Sequence, residues 1–184
     1  MMRQRINCSA CRGFTLIELM VTLAVLAILV TAATPSLQKM IRDNRVTTQS
    51  NELIALINLT RNQAIREGID ENDVGMEALL RLTPITAGWN GNVSVTGEEP
   101  AEGCPSDVIR CSENRNVNLT TTSTELSFES RGYLQKTVWS PETICLKHAG
   151  TCQGNRQHVQ IRILPSGQID NRRLACKTVC PTAD

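Results

Sequence analysis

Residues 14–33 read FTLIELMVTLAVLAILVTAA, twenty residues with one charge, Glu18. A helix of that length spans about 30 Å, the thickness of a bilayer's hydrocarbon. Arg3, Arg5 and Arg12 precede the run, with no acidic residue between positions 3 and 12. That bias sets the N-terminus on the cytoplasmic side and sends everything after the run across the membrane. The run therefore predicts a single-pass anchor. A secretory signal peptide is the competing reading, because VTAA at 30–33 offers small residues for cleavage. The usual apolar core of such a signal is roughly 7–15 residues, and a carboxylate inside it is out of place.

The longer stretch RGFTLIELMVTLAVLAILVTAATP, residues 12–35, resembles the N-terminus of type IV pilins and type II secretion pseudopilins. The matching parts are a basic leader ending in Gly13, then Phe14, then TLIE with Glu18, then the apolar helix. The resemblance implies a cleaved leader over 1–13, cut after Gly13 by a membrane-embedded prepilin peptidase that also methylates the amine of Phe14. It further implies partners: other pilin or pseudopilin subunits and an inner-membrane assembly platform. The chain is then a bacterial inner-membrane protein with its head in the periplasm, and later part of an extracytoplasmic filament.

Physics gives Glu18 a role in that scheme. Cleavage leaves a cationic amine on Phe14 inside the bilayer, where an unpaired charge costs roughly 3 kcal/mol or more. A carboxylate on a neighbouring subunit attracts it strongly in low dielectric and sets axial register. The alternative is that Glu18 complements the dipole of its own helix from the first turn. Pro35 ends the apolar run and predicts a kink or local unwinding, or simply divides a membrane half (14–34) from a soluble half (35–67).

From Ser36 to Glu67 neither proline nor glycine intervenes, and Gly68 reads as a C-cap. Leu53, Ile57, Thr60 and Ala64 form one apolar stripe, with Ile54, Leu56 and Ile65 beside it. Lys39, Arg42, Asp43 and Arg45 make the preceding stretch polar. Residues 68–184 read as a β-rich head. MEALLRL (76–82) fits a helical turn or a strand, and NLTTTST (118–124) a loop or edge strand. ELSFES (125–130) alternates with Leu126 and Phe128 on one face, and YLQKTVW (133–139) reads as a strand after the turn at 130–132. HVQIRIL (158–164) alternates cleanly, and LPSG (164–167) fits a type I turn returning QIDNRRL as an antiparallel partner. The expected fold is α+β: a long N-terminal helix packed on a β-rich, disulfide-stapled head. ELIALINLTRNQAIREG, FESRG (128–132) and RILPSGQI (162–169) resemble the helix end, the signature and the last hairpin of GspH/FimT-type heads.

Eight cysteines divide into two and six. Cys8 and Cys11 form a CxxC in the leader, open to a redox or zinc reading. Cys104, Cys111, Cys145, Cys152, Cys176 and Cys180 fall on the translocated side, where thiols oxidise. Pairing neighbours in sequence is the first expectation, and joining Cys145 or Cys152 to Cys176 or Cys180 is its rival. Histidine is too scarce for a zinc cluster among them. His148 and His158 stand beside no nucleophile motif, and no glycine-rich phosphate loop is present. Neither enzyme activity nor a metal or other cofactor is expected.

Net charge is +1 and aromatic content only 3%, so no overall field favours nucleic acid. Charge is nonetheless uneven. Residues 67–129 hold twelve acidic and three basic residues, whereas 131–184 hold eight basic and three acidic. Arg156, Arg162, Arg172, Arg173 and Lys177 form a basic edge, interrupted by Asp170, for which weak or no DNA binding is expected. The leading functional reading is a minor pilin or pseudopilin at or near the tip of a type II secretion pseudopilus or a type IV pilus. A DNA-binding pilin and a secreted stapled domain are the alternatives.

Overall fold

The computed structural model describes residues 13–68, 76–96, 109–135, 140–150 and 158–175. It divides into two compact units, Met1–Gln38 and Lys39–Asp184. Helix α1, Leu16–Glu67, contributes to both. In the first unit its apolar side chains, such as Leu16, Ile17 and Ile28, are exposed. The threonine hydroxyls are satisfied within the helix: Thr22, Thr31 and Thr34 donate to the carbonyls of Leu19, Ile28 and Val30 at 2.9, 2.8 and 2.7 Å. That is what hydrocarbon demands of a polar side chain.

Pro35 lies inside α1, and the helix continues through it without interruption. The local unwinding anticipated there is absent. Proline withholds one N–H from the carbonyl of Thr31, but intact turns on both sides hold the helix through that gap. The compact units meet at 38/39 rather than at the proline.

In the second unit, α1 buries Val46, Gln49, Leu53, Ile57, Thr60 and Ala64, a stripe three or four residues apart. The core face thus starts at Val46, seven residues before the stripe read from sequence, and Ile65 is exposed. Eight strands follow: β1 Met76–Ile85, β2 Gly88–Thr96, β3 Arg110–Arg115, β4 Val117–Thr121, β5 Glu125–Phe128, β6 Glu142–His148, β7 His158–Ile163 and β8 Ile169–Leu174. They form two four-stranded sheets, ordered β3-β2-β1-β5 and β4-β6-β7-β8, with every pairing antiparallel. MEALLRL is therefore strand, and NLTTTST contains the edge strand β4. Leu126 and Phe128 on β5, and Val159, Ile161 and Ile163 on β7, face the core as the alternation requires. Within 133–139 the described residues give one bridge, Phe128 to Leu134, and 136–139 lie outside them.

The helix seats on the first sheet at Gly91. A methyl group there would stand 2.8 Å from Leu56 Cδ1 and 3.0 Å from Trp89 Cζ3, so glycine lets these side chains close in without shifting. Trp89, fully buried beside it, donates its indole N–H to Gln49 Oε1 at 3.1 Å, and Gln49 Nε2 donates to the carbonyl of Arg115 at 2.9 Å. Ser112 donates to the Glu52 carboxylate. Asn116, in a left-handed conformation (φ 66), turns the chain from β3 in one sheet to β4 in the other. Its N–H bonds the carbonyl of Ala87 at 2.6 Å.

Candidate processing and assembly site

The first unit presents the residues on which processing and assembly would turn. Gly13 and Phe14 precede the helix; Phe14 is 82% exposed, and a Cβ on Gly13 would meet nothing within 4 Å. Thr15 is the N-cap. Its Oγ1 accepts the N–H of Glu18 at 3.2 Å, and its carbonyl accepts the N–H of Leu19 at 3.2 Å. Thr15-x-x-Glu18 is the capping-box pattern, legible in the sequence but not used there. Glu18 occupies the first turn with its side chain exposed. It therefore complements the helix dipole within its own chain while keeping its carboxylate open to a partner.

The second unit is held by a clamp around Arg61. Two turns repeat one geometry. Glu129 N–H bonds Tyr133 O at 2.9 Å and Gly132 N–H bonds Glu129 O at 2.7 Å; Leu164 N–H bonds Gln168 O and Gly167 N–H bonds Leu164 O, both at 2.8 Å. Gly132 and Gly167 are both left-handed, each with φ 76. This is a type I turn closed by a glycine bulge. The turns dock on one another through Leu134 N–H and Pro165 O at 2.9 Å. Arg61 lies against both, and its Nη1 donates to Gly167 O at 3.3 Å. FESRG and LPSG, read separately from sequence, thus meet at one place, while Arg61 gave no signal. Gly68 closes α1 with φ 67, as its C-cap reading requires.

Of the anticipated basic edge, Arg172 lies 3.7 Å from Asp170, and Arg173 donates to Thr47 Oγ1 at 3.3 Å. Lys177 and Arg156 lie outside the described residues, as do Cys8 and Cys11. Cys111 and Cys145 lie on β3 and β6. Cys104, Cys152, Cys176 and Cys180 also fall outside the described residues, and the pairing with them. Among the described residues no group of three or more His, Cys, Asp or Glu is gathered for a metal.

The two histidines sit in different surroundings. His158 is buried at the start of β7. His148 ends β6, and its pKa is lowered from 6.5 by burial and then by Arg42 and Arg45. The unfolded chain therefore takes up this proton first as pH falls, so stability is lost as pH drops below about 6.5. The expected result is a denaturation midpoint that falls between pH 7.5 and pH 5, with a smaller fall in His148→Gln.

Residues 8–34 match the family model for the prokaryotic N-terminal methylation motif. No curated protein matches the chain. Two crystal structures of the type IV minor pilin FimU from Pseudomonas aeruginosa are similar in fold. One aligns at 15% identity and TM-score 0.50 over 72% of this chain and 98% of FimU; the other at 15% and 0.49 over 77% and 96%. A methylation-type N-terminus thus opens a long helix, and a two-sheet head packs on the later part of that helix. The N-terminus carries that motif, and the fold is similar to that of a type IV minor pilin.

Proposed function

We propose that the chain is a minor pilin or pseudopilin of the GspH/FimT type: a structural subunit, not an enzyme. Prepilin peptidase cuts after Gly13 and methylates Phe14, and the apolar half of α1 holds the subunit in the inner membrane with its head in the periplasm. An assembly platform then delivers it to the tip region of a filament, either a type II secretion pseudopilus or a type IV pilus. Glu18 pairs with the terminal amine of the adjoining subunit. The six translocated cysteines staple the head, and pairing within sequence neighbours, 104–111, 145–152 and 176–180, is the simplest scheme. The observation that carries this reading is the methylation motif of residues 8–34, with Glu18 in the first turn of the helix it opens.

Intact-mass measurement of chain purified from its native membrane tests it. The expected mass begins at Phe14 and includes one added methyl group. A mature chain beginning near Ala33 overturns the proposal in favour of a secreted domain.

A further inference from the structure

Strand β8 is an outer strand of its sheet. Between it and α1 lie two hollows of about 600 and 130 Å³, both lined by Asn171 and together termed the groove. On the helix the lining includes Thr47, Asn51, Ile54, Asn58 and Arg61, a stripe beside the core stripe. Those positions extend over about 21 Å of helix. On the strand side, Ile169 gives the groove an apolar contact while Gln168 and Asn171 offer amides. Among the described residues, every charged side chain lining it is a cation: Arg61, Arg172 and Arg173. Asp170 is absent from the lining, and its pairing with Arg172 is between half-exposed groups at 3.7 Å, too weak to neutralise the edge. Arg61 Nε is buried without an acceptor.

The backbone of β8 completes the picture. Leu164 N–H to Gln168 O closes the hairpin, and the register runs Arg162↔Asp170, Ile161↔Asn171, Gln160↔Arg172. Antiparallel alternation then directs the peptide groups of Asp170 and Arg172 to β7, and those of Ile169, Asn171 and Arg173 to the outer edge. Among the described strands none pairs with that edge.

We propose that the β8 edge and its groove receive an extended, acidic segment of another protein as an added strand. The outward peptide groups supply the ladder, and Arg61 and Arg173, on the helix side, select carboxylates on alternate residues of the incoming segment. This goes beyond the filament role and does not depend on it.

The test uses the full chain in detergent micelles and a fluorescein-labelled peptide alternating glutamate with valine, against its lysine counterpart, read by anisotropy. The acidic peptide is expected to bind at least about tenfold tighter, with the gap narrowing as salt rises. Asn171→Pro removes one outward N–H without touching the β7 pairing, and is expected to weaken binding about tenfold. Should that variant fail to fold, Arg173→Glu decides alone, by shifting preference toward the lysine peptide. Equal binding of the two peptides, no binding, or indifference to both variants overturns the proposal. So does displacement of the acidic peptide by duplex DNA that binds Asn171→Pro as well as the parent, which makes the edge a nucleic-acid interface.

Discussion

Glu18→Ala is expected to leave cleavage after Gly13 and membrane retention intact, while lowering incorporation into filaments on the order of a hundredfold. The size follows from the cost of an amine left without a counter-ion in hydrocarbon, roughly 3 kcal/mol, set against about 1.4 kcal/mol per tenfold change. Glu18 also serves its own helix, so a control must separate the two duties. Thr15→Val removes the cap whose Oγ1 accepts the Glu18 N–H. It costs about 1 kcal/mol at the helix start and leaves the carboxylate in place. The ratio of chain in sheared filaments to chain in membranes, read by immunoblot, distinguishes them. A strong defect in Glu18→Ala with a mild one in Thr15→Val supports pairing between subunits. Equal, mild defects would reduce Glu18 to a helix-start residue.

Gly167→Ala should damage the head far more than its single added methyl suggests. The new Cβ would fall 2.1 Å from the carbonyl oxygen of Gly132, on a backbone at φ 76. A left-handed alanine alone costs about 1–2 kcal/mol, and relieving the clash separates two turns that also share Arg61. A total loss of about 4 kcal/mol is expected, at the severe end for one substitution. Gly68→Ala is the matched control. Its φ is 67, but nothing lies within 4 Å of its Cβ. It should cost only about 1–2 kcal/mol. Thermal unfolding of the two proteins, side by side, measures the difference. Similar melting temperatures would mean that the turns move apart freely and that the clamp holds nothing.

What the sequence made legible was what repeats or stands alone. The apolar run, the T-x-x-E start, the alternation of residues 158–163 and the LPSG turn each carry their signal within a few positions. The seating of the helix on the sheet did not, because Gly91 gives way to Leu56 across a sequence gap that no local pattern spans. Strands β2 and β3 were hidden for a related reason. Their faces mix Trp89 and Val93 with Asn92, Ser94 and Ser112, all buried, so a hydrophobic alternation fails to mark them. Asn116 and Ala87 offer no glycine to announce their left-handed turns. Arg61 looked like one more solvated cation on an amphipathic helix, and its place between two glycine turns depends on residues about seventy and a hundred positions away.

The bond from Arg61 to Gly167 joins residues 106 apart. At ordinary ribosome speeds that interval lasts roughly 5–20 s. Throughout it the newborn chain carries the greasy flank of Leu53, Leu56 and Ile57 with its final cover still unmade. A chaperone that shields that flank over this interval is therefore expected to raise the yield of folded chain.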